Sequence, residues 1–285
     1  MRNLHQGVSV MNTFHKLQFV IAVLLSMCCV VMCSKADQKE APIEEQDLTP
    51  DIFIHYLGHS SFIIRFDNGV SILTDYGESR SYGLDSPIYG FGDFVPDIVT
   101  YSHTDHVDHA GGTIPENVPN ILTNLDSLSL KGVRILPIRT SEKSLEEPDN
   151  TSYLISYKGF DILHLGDAQA NIMNIQQEDN KNRIAQILPE HVDLLLMTIQ
   201  GIEPLIRQSE AFIELLQPKR VIPMHYWSKE YKASFLNYLY IQNKKPKKNY
   251  HIEELGSAKY EVSSAAKKVE GIHVLSLDPA VFSKD

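Results

Sequence analysis

Short apolar runs, each bounded by turn-forming residues, dominate the chain after position 50 and predict β-strands more often than helices. In residues 51–75 they form three strands, which are separated at Gly58-His59 and at Asn68-Gly69. Asn-Gly is typical of a tight hairpin turn, because both residues tolerate positive φ. The pattern therefore predicts a domain that opens with three consecutive antiparallel strands.

The rest of the chain continues this pattern and adds helices. The predicted strands cover residues 96–102, 132–138, 152–157, 160–165, 192–199, 220–225 and 271–277. The predicted helices cover residues 171–188, 209–216 and 229–240. Hairpins come first, strand–helix alternation follows, and the composition does not break between them. We therefore expect one layered α/β domain over residues 51–285.

A crowded group of polar side chains follows the predicted strand over residues 96–102. Three of the twelve histidines and two carboxylates lie within seven residues: His103, Asp105, His106, Asp108 and His109. Ligand sites in layered α/β folds gather at strand ends, and imidazole with carboxylate suits zinc, iron or manganese better than calcium or magnesium. The sequence therefore predicts a transition-metal site, with a histidine-rich solvated loop as the alternative.

Two later strands also end in possible metal ligands. Gly166-Asp167 follows the predicted strand over residues 160–165, and the strand over residues 220–225 ends in His225. Recurrence of such residues at several strand ends favours a built site over a chance cluster.

Charge and cysteine content exclude several classes of function. The formal net charge is −10, and the one cationic run, Lys244–Lys248, contains a proline and predicts a solvated loop. Nucleic acid is therefore not an expected partner. The only cysteines are Cys28, Cys29 and Cys33, so the predicted domain has no thiol for a disulfide, a nucleophile or a metal ligand.

The N-terminal region resembles an export signal. Residues 19–33 form a nearly uncharged run of 15 residues, which suits a secretory signal and is short for a membrane span. We expect a signal peptide over residues 1–33, lipidation of Cys33 in the manner of a bacterial lipoprotein, and a polar linker over residues 34–50. The expected location is the cell envelope, as a membrane-anchored lipoprotein, or the periplasm. An uncleaved membrane anchor is the alternative.

Four short stretches, in this order around the histidine cluster, carry a family resemblance. They are residues 56–62 (YLGHSSF), 73–75 (LTD), 164–167 (HLGD) and 222–226 (IPMHY). Over residues 52–227 the chain resembles the metallo-β-lactamase superfamily, in the branch of metal-dependent hydrolases that includes ascorbate-6-phosphate lactonase and N-acyl-phosphatidylethanolamine phospholipase D. The resemblance implies a four-layer αββα sandwich with its site at the strand ends.

The histidine motif departs from the family pattern HxHxDH by one residue. An insertion at Thr104 or Asp105 keeps His103 and His106 as ligands of one site and Asp108 with His109 as ligands of the other. A rival register uses His103, Asp105 and His106 and puts Tyr101 in the first ligand position. We favour the insertion, because it keeps every ligand.

The resemblance also assigns the remaining ligands. Asp167 would bridge two ions, and His225 would complete a site with Asp108 and His109. The site of His103 and His106 lacks its third histidine, since none occurs between His109 and His164. An oxygen ligand could replace it from Glu142, Glu146, Glu147 or Asp149. Otherwise one ion binds tightly, or the protein is a metal-free relative.

We expect an exported metal-dependent hydrolase that uses a metal-bound hydroxide on an ester, a lactone or a phosphodiester. Zinc is the first expectation, with manganese or iron possible in one or two sites, and Asp108 would both bind metal and orient water. The substrate would be a small molecule or a lipid-like molecule. Residues 76–95 are expected to form an ordered loop that walls the pocket, with a plain surface loop as the equal alternative. A β-lactamase is disfavoured by the missing histidine. The rival function is a lipoprotein that binds ligands on a catalytically degenerate fold.

Four other residues in or near these motifs are expected to have supporting roles. His59 is expected to be a hydrogen-bonded turn residue, with a contact behind the ligands or with the substrate as the alternative. Asp75 either orients a ligand histidine or only ends a strand. Alternation along the strand directs His164 away from Asp167, so His164 is expected to be structural. Trp227 is expected in the core or the pocket wall.

Overall fold

A computed structural model describes residues 48–77, 91, 93–123, 125–142, 146–168, 178–199, 205–226 and 228–280. The chain divides into two units, Met1–Pro42 and Ile43–Asp285, and the described residues all belong to the second. The predicted signal peptide, Cys33, Trp227 and most of the 76–95 loop lie outside the described residues, so those expectations stay predictions. In the described part of the chain, every helix is too short or too polar to cross a membrane.

Six strands form the first sheet, in the order β13-β1-β2-β3-β4-β5. Their bounds are β1 Ile52–Gly58, β2 Ser61–Phe66, β3 Ser71–Thr74, β4 Ile98–Thr100, β5 Asn120–Leu122 and β13 Lys259–Val262. Strands β1, β2 and β3 are consecutive and antiparallel, as the turn-forming residues predicted. Strands β3, β4 and β5 then run parallel.

Eight strands form the second sheet, in the order β12-β14-β11-β10-β9-β8-β7-β6. Their bounds are β6 Leu128–Leu130, β7 Val133–Thr140, β8 Asn150–Tyr157, β9 Phe160–His164, β10 Leu194–Thr198, β11 Arg220–Met224, β12 Tyr250–Glu254 and β14 Ile272–Ser276. Strands β6 to β9 are antiparallel neighbours, whereas β9, β10 and β11 run parallel. This change of direction follows the alternation of strands and helices in the later sequence.

The described helices are α1 Val107–Ala110, α2 Glu178–Ile187, α3 Leu205–Leu216 and α4 Lys229–Gln242. Helix α3 begins earlier than predicted, and α1 replaces what the sequence indicated only as a turn. The sequence also failed to predict β5, β6, β12 and β13. These strands are short, and polar or charged residues occupy much of β12 and β13, so pairing with a neighbouring strand decides their conformation.

Alternation along the strands of the first sheet separates two apolar faces. Ile54, Tyr56 and Ile64 point inward and join the main core with residues of the second sheet, including Ile135 and Tyr153. The opposite face carries a smaller cluster whose buried members are Leu57, Ile63, Leu73, Tyr76, Val99 and Tyr101. The two sheets therefore pack face to face, and the predicted layered α/β sandwich is confirmed.

Parallel strands bring their carboxyl ends to the same edge of a sheet. Strands β3 and β4 end beside each other in the first sheet, and β9 and β11 end on either side of β10 in the second. The residues that follow these strands include Asp75, His103, Asp167 and His225. The topology thus collects the predicted ligands at one edge of the sandwich.

His164, the last residue of β9, connects the two sheets. Its buried Nε2 donates a hydrogen bond to the Ser60 carbonyl oxygen at 2.8 Å, because a carbonyl can only accept. Its Nδ1 accepts from the Gly166 amide at 3.3 Å. This neutral imidazole holds the turn that carries His59, in agreement with the structural role expected from strand alternation.

Burial lowers the pKa of His164, and this shift predicts sensitivity to acid. In the unfolded chain, this histidine binds a proton near its ordinary pKa of about 6.5, whereas in the folded chain it resists protonation. The contribution of His164 to stability is therefore present above that pH and is lost as the pH falls. We expect the free energy of unfolding of the metal-free protein to fall more steeply from about pH 7 to about pH 5 than that of His164→Gln, by at most about 1.4 kcal/mol per pH unit. Urea unfolding at each pH measures both slopes, and parallel curves would contradict the assignment.

Candidate metal centre

Four side chains from three parts of the chain form the first cluster: His103, His106, Glu142 and Asp167. One possible ligand atom of each lies within 4.8 Å of the others. The rings of His103 and His106 stack with their centroids 4.4 Å apart, and His106 Nε2 lies 3.8 Å from Glu142 Oε2. Glu142 follows β7, so the end of this strand supplies a second carboxylate to the cluster.

The structure separates the two registers of the histidine motif. The Asp105 side chain is 80% exposed and belongs to neither cluster of possible ligands. His103 and His106 face the same cluster across the intervening pair of residues, while Asp108 and His109 lie on α1 and face a second cluster. This arrangement is the one that an insertion at Thr104 or Asp105 requires.

The second cluster consists of His59, Asp108, His109 and His225, and all four residues are buried. Asp167 lies between the two clusters. Its Oδ2 is 3.4 Å from His225 Nε2 and 3.9 Å from His109 Nε2, while the same carboxylate belongs to the first cluster. The position of Asp167 is therefore suited to a ligand shared by two ions.

Asp75, directly after β3, fixes the orientation of His109. Its Oδ2 lies 2.9 Å from His109 Nδ1, and its two oxygens also accept hydrogen bonds from the Ser102 amide and hydroxyl, both at 2.6 Å. Because Nδ1 carries the proton for Asp75, Nε2 of His109 is left to face Asp108 and Asp167. Of the two roles considered for Asp75, the structure has the one that orients a histidine.

We expect Asp75→Asn to weaken metal binding without unfolding the protein. The amide no longer provides a full negative charge opposite His109, and loss of such a contact behind a ligand costs about 10- to 100-fold in metal affinity. Titration of the metal-free protein with zinc measures the change. Asp97→Asn is the matched control, because Asp97 accepts hydrogen bonds from Ser71 at the opposite end of β4. An equal loss of affinity in both variants would contradict the role of Asp75.

The backbone around Asp167 is held by residues that the sequence did not single out. Asn150 Oδ1 accepts a hydrogen bond from the Asp167 amide at 2.9 Å, and Asn150 Nδ2 donates to the Leu165 carbonyl oxygen at 2.9 Å. The Thr198 hydroxyl donates to the Gly166 carbonyl oxygen. Only their positions in neighbouring strands bring Asn150 and Thr198 to this turn, so no local motif indicated them.

His59, a member of the second cluster, contacts two of its other members. Its Nε2 lies 3.0 Å from Asp108 Oδ2, and its ring centroid lies 4.0 Å from that of His225. The His59 carbonyl also accepts a hydrogen bond from the His225 amide at 2.9 Å, so His59 is a hydrogen-bonded turn residue as well as a possible ligand.

Three residues of the centre have left-handed backbone conformations. The φ values are +52° for His59, +38° for Asp75 and +56° for His225. Residues other than glycine rarely adopt such values, and they cluster at functional sites that the surrounding structure holds in place. Each of these residues ends a strand, so the turn conformation aims its side chain at the centre.

Buried negative charge dominates the electrostatics of the centre. Burial alone would raise the pKa of Asp108, but the hydrogen bond from His59 and nearby histidines lower it to about 2. Burial alone would lower the pKa of His109, but Asp75, with Asp167 and Asp108, raises it to about 9. Burial and the neighbouring His225 lower the pKa of His59 to about 3. The carboxylates thus favour a positive charge in their midst.

The residues present fit a divalent metal ion. Several buried nitrogen and oxygen atoms have no hydrogen-bond partner among the described residues: His59 Nδ1, His103 Nε2, Asp108 Oδ1, His109 Nε2, and both ring nitrogens of His225. Buried polar atoms normally find a partner. Transition-metal ions in the two clusters would give partners to His103 Nε2, Asp108 Oδ1, His109 Nε2 and one ring nitrogen of His225, and would neutralise the carboxylates. Imidazole with carboxylate is the usual donor set of such ions.

The other carboxylates considered as a replacement for the third histidine lie elsewhere. Glu146 pairs with Arg183 at 2.7 Å on the surface, and Glu147 is exposed. Asp149 Oδ1 accepts a hydrogen bond from the Glu142 amide at 2.7 Å. Of the four, the structure brings only Glu142 into a cluster of possible ligands among the described residues.

A family model described as a β-lactamase superfamily domain matches residues 53–225, which is more than half of the chain and spans the donors from His59 to His225. No curated protein matches the sequence significantly.

Two solved structures are similar to this chain. A candidate Zn-dependent hydrolase of the metallo-β-lactamase superfamily from Thermotoga maritima superimposes with a TM-score of 0.50 and 20% identity, over 79% of this chain and 100% of that one. Igni18, a metallo hydrolase from Ignicoccus hospitalis, gives a TM-score of 0.44 and 20% identity, over 67% of this chain and 91% of that one.

Proposed function

The chain belongs to the metallo-β-lactamase superfamily of metal-dependent hydrolases, and on this premise we propose that it hydrolyses an ester, a lactone or a phosphodiester at the centre described above. The observation that carries the proposal is the convergence of two clusters of buried imidazoles and carboxylates on Asp167. Such a donor set at strand ends is typical of a catalytic metal site with one shared carboxylate.

The first cluster would hold one ion, and Asp108, His109 and His225 would hold the other, with Asp167 between them. Bound metal supplies a Lewis acid that polarises an acyl or phosphoryl oxygen and lowers the pKa of water to about 7. His59 Nε2 holds Asp108 Oδ2 by a hydrogen bond at 3.0 Å, while the buried Oδ1 has no hydrogen-bond partner among the described residues. Asp108 is therefore the residue suited to orient an attacking water.

The proposal extends to export. The apolar run over residues 19–33 and the polar linker after it support a signal peptide, and Cys33 supports a lipid anchor in the cell envelope. Incorporation of labelled fatty acid by an expressing bacterial cell, lost in Cys33→Ser and retained in Cys28→Ser, tests the anchor. A label that persists in Cys33→Ser would reject it.

A binding protein that has lost catalysis is the second candidate, favoured by the absence of a third histidine from the first cluster. In this case the buried carboxylates would still bind cations, but no substrate would be turned over.

Elemental analysis of the purified chain and a substrate panel separate the two candidates. We expect bound zinc, manganese or iron and hydrolysis of at least one class among p-nitrophenyl esters, lactones and bis-p-nitrophenyl phosphate. Chelation should abolish the activity, and readdition of metal should restore it. Absence of metal from folded protein, even after addition of zinc or manganese, would overturn the hydrolase. Stable metal without turnover of any class would support the binding protein.

A further inference from the structure

The first cluster differs from a three-histidine site by one carboxylate, and this difference has chemical consequences. Its donors are two imidazoles, from His103 and His106, and two carboxylates, from Glu142 and Asp167. We propose that Glu142 is a metal ligand and that it shifts the preference of this site away from zinc and toward manganese(II) or iron(II). The inference rests on the proposed metal-dependent function and adds the class of metal.

Position supports Glu142 as a ligand. The side chain is 19% exposed, and its Oε2 lies 3.8 Å from Nε2 of His106, whose side chain is 26% exposed. Thr140 and Ser141, just before it, are buried, and the Asp149 carboxylate accepts from the Glu142 amide at 2.7 Å. The main chain at the end of β7 is thereby fixed, so the side chain starts from a defined point beside the cluster.

Charge supports the shift in preference. With Glu142, the carboxylates that face the two clusters are Asp108, Glu142 and Asp167, whereas a histidine at position 142 would leave two. Imidazole is a favoured ligand of zinc, while carboxylate oxygens suit harder ions such as manganese(II). Two histidines with a carboxylate also form the donor set typical of non-haem iron(II) sites. The absolute affinities still follow the general order in which protein sites bind divalent metals. The expected effect of Glu142 is therefore a change in the ratio of the manganese affinity to the zinc affinity.

The second cluster has a different donor set. It consists of three imidazoles, from His59, His109 and His225, and one carboxylate, from Asp108, while Asp167 Oδ2 lies 3.4 Å from His225 Nε2. The glutamate at position 142 therefore changes the first cluster alone, and the preference for manganese(II) or iron(II) is assigned to that site.

Metal titrations of the metal-free chain test the proposal without any activity measurement. Free manganese(II) is followed by electron paramagnetic resonance, and zinc is followed by competition with a chromophoric chelator. We expect Glu142→Gln to lose one of two equivalents of manganese. We expect Glu142→His to raise the zinc-to-manganese ratio of affinities at the first site by at least about 10-fold, the scale of a single changed ligand contact.

Glu147→Gln and Glu147→His are matched controls, because Glu147 is exposed on the same connection and lies outside both clusters. Circular dichroism confirms that each variant folds. Unchanged manganese stoichiometry in Glu142→Gln, or an unchanged ratio in Glu142→His, would overturn the role of Glu142. Failure of the wild-type chain to bind either metal would instead overturn the proposed function, so the two failures are distinguishable.

Discussion

Asp167→Asn is expected to remove metal from both clusters, the largest effect of any single substitution in the centre. The Asp167 carboxylate lies 3.4 Å from His225 Nε2 and also belongs to the cluster of His103, His106 and Glu142. The neutral amide of asparagine would deprive both ions of the carboxylate that they share. Metal content should fall from two equivalents to below one, and the rate of hydrolysis should fall by more than the roughly 10- to 100-fold of a substitution behind the ligands.

Elemental analysis and the rate with the best substrate of the panel measure this result. Asp161→Asn is the matched control, since Asp161 lies on β9, the strand that precedes Asp167, accepts a hydrogen bond from the Ser156 hydroxyl at 2.6 Å and is absent from both clusters. An Asp167→Asn protein that keeps two equivalents of metal would show that Asp167 does not bridge the sites.

Gly166→Ala is expected to have the largest effect on stability, because two separate penalties meet at this position. Gly166 has a φ of +61°, and a Cβ atom there would lie 2.3 Å from Cβ of Ser102 and 2.7 Å from Oδ1 of Asn150. A left-handed backbone costs an alanine about 1–2 kcal/mol, and overpacking costs about 1–3 kcal/mol. Urea unfolding of the metal-free protein should show a loss of roughly 2–5 kcal/mol.

Gly69→Ala isolates the first penalty. Gly69 has a φ of +84°, but a Cβ atom there would meet nothing within 4 Å, so we expect a loss of about 1–2 kcal/mol. Gly166→Ala should also weaken metal binding, because Ser102 and Asn150 position Asp75 and Asp167, whereas Gly69→Ala should leave it unchanged. Equal losses of stability in the two variants would show that the turn at Gly166 has room to adjust.

Periodicity and turn residues were sufficient to predict most of the strands that form the two cores. Residues 51–75 illustrate why: alternation assigns each side chain to one face, and Asn68-Gly69 specifies the hairpin that links β2 to β3. Strands β12 and β13 carry no such signal, because the sequences YHIEE of β12 and KYEV of β13 consist largely of polar or charged residues, and both strands are partly exposed. Their conformation depends on β14 and β1, which lie elsewhere in the sequence.

The candidate site was predictable where its residues lie close together in the sequence or match a motif. His103, His106, Asp108 and His109 are one segment, and Asp167 and His225 follow recognisable strands. Sequence alone left four carboxylates open as the oxygen ligand, because the choice depends on where β7 ends relative to His106. The hydrogen bonds of Asn150 to Asp167, and of His59 to Asp108, join residues 17 and 49 positions apart, so only the fold brings them together.

The donors of the centre come from both sheets of the sandwich. His59 follows β1, and His103 to His109 follow β4, in the first sheet, whereas Glu142, Asp167 and His225 follow strands of the second. A bound ion is therefore a cross-link between sheets that are otherwise joined by apolar packing and by hydrogen bonds such as that of His164 to Ser60. By linkage, an ion at 100 times its Kd adds about 2.7 kcal/mol to the free energy of unfolding. The concentration of free metal would then set the stability of the whole sandwich as well as the occupancy of its site.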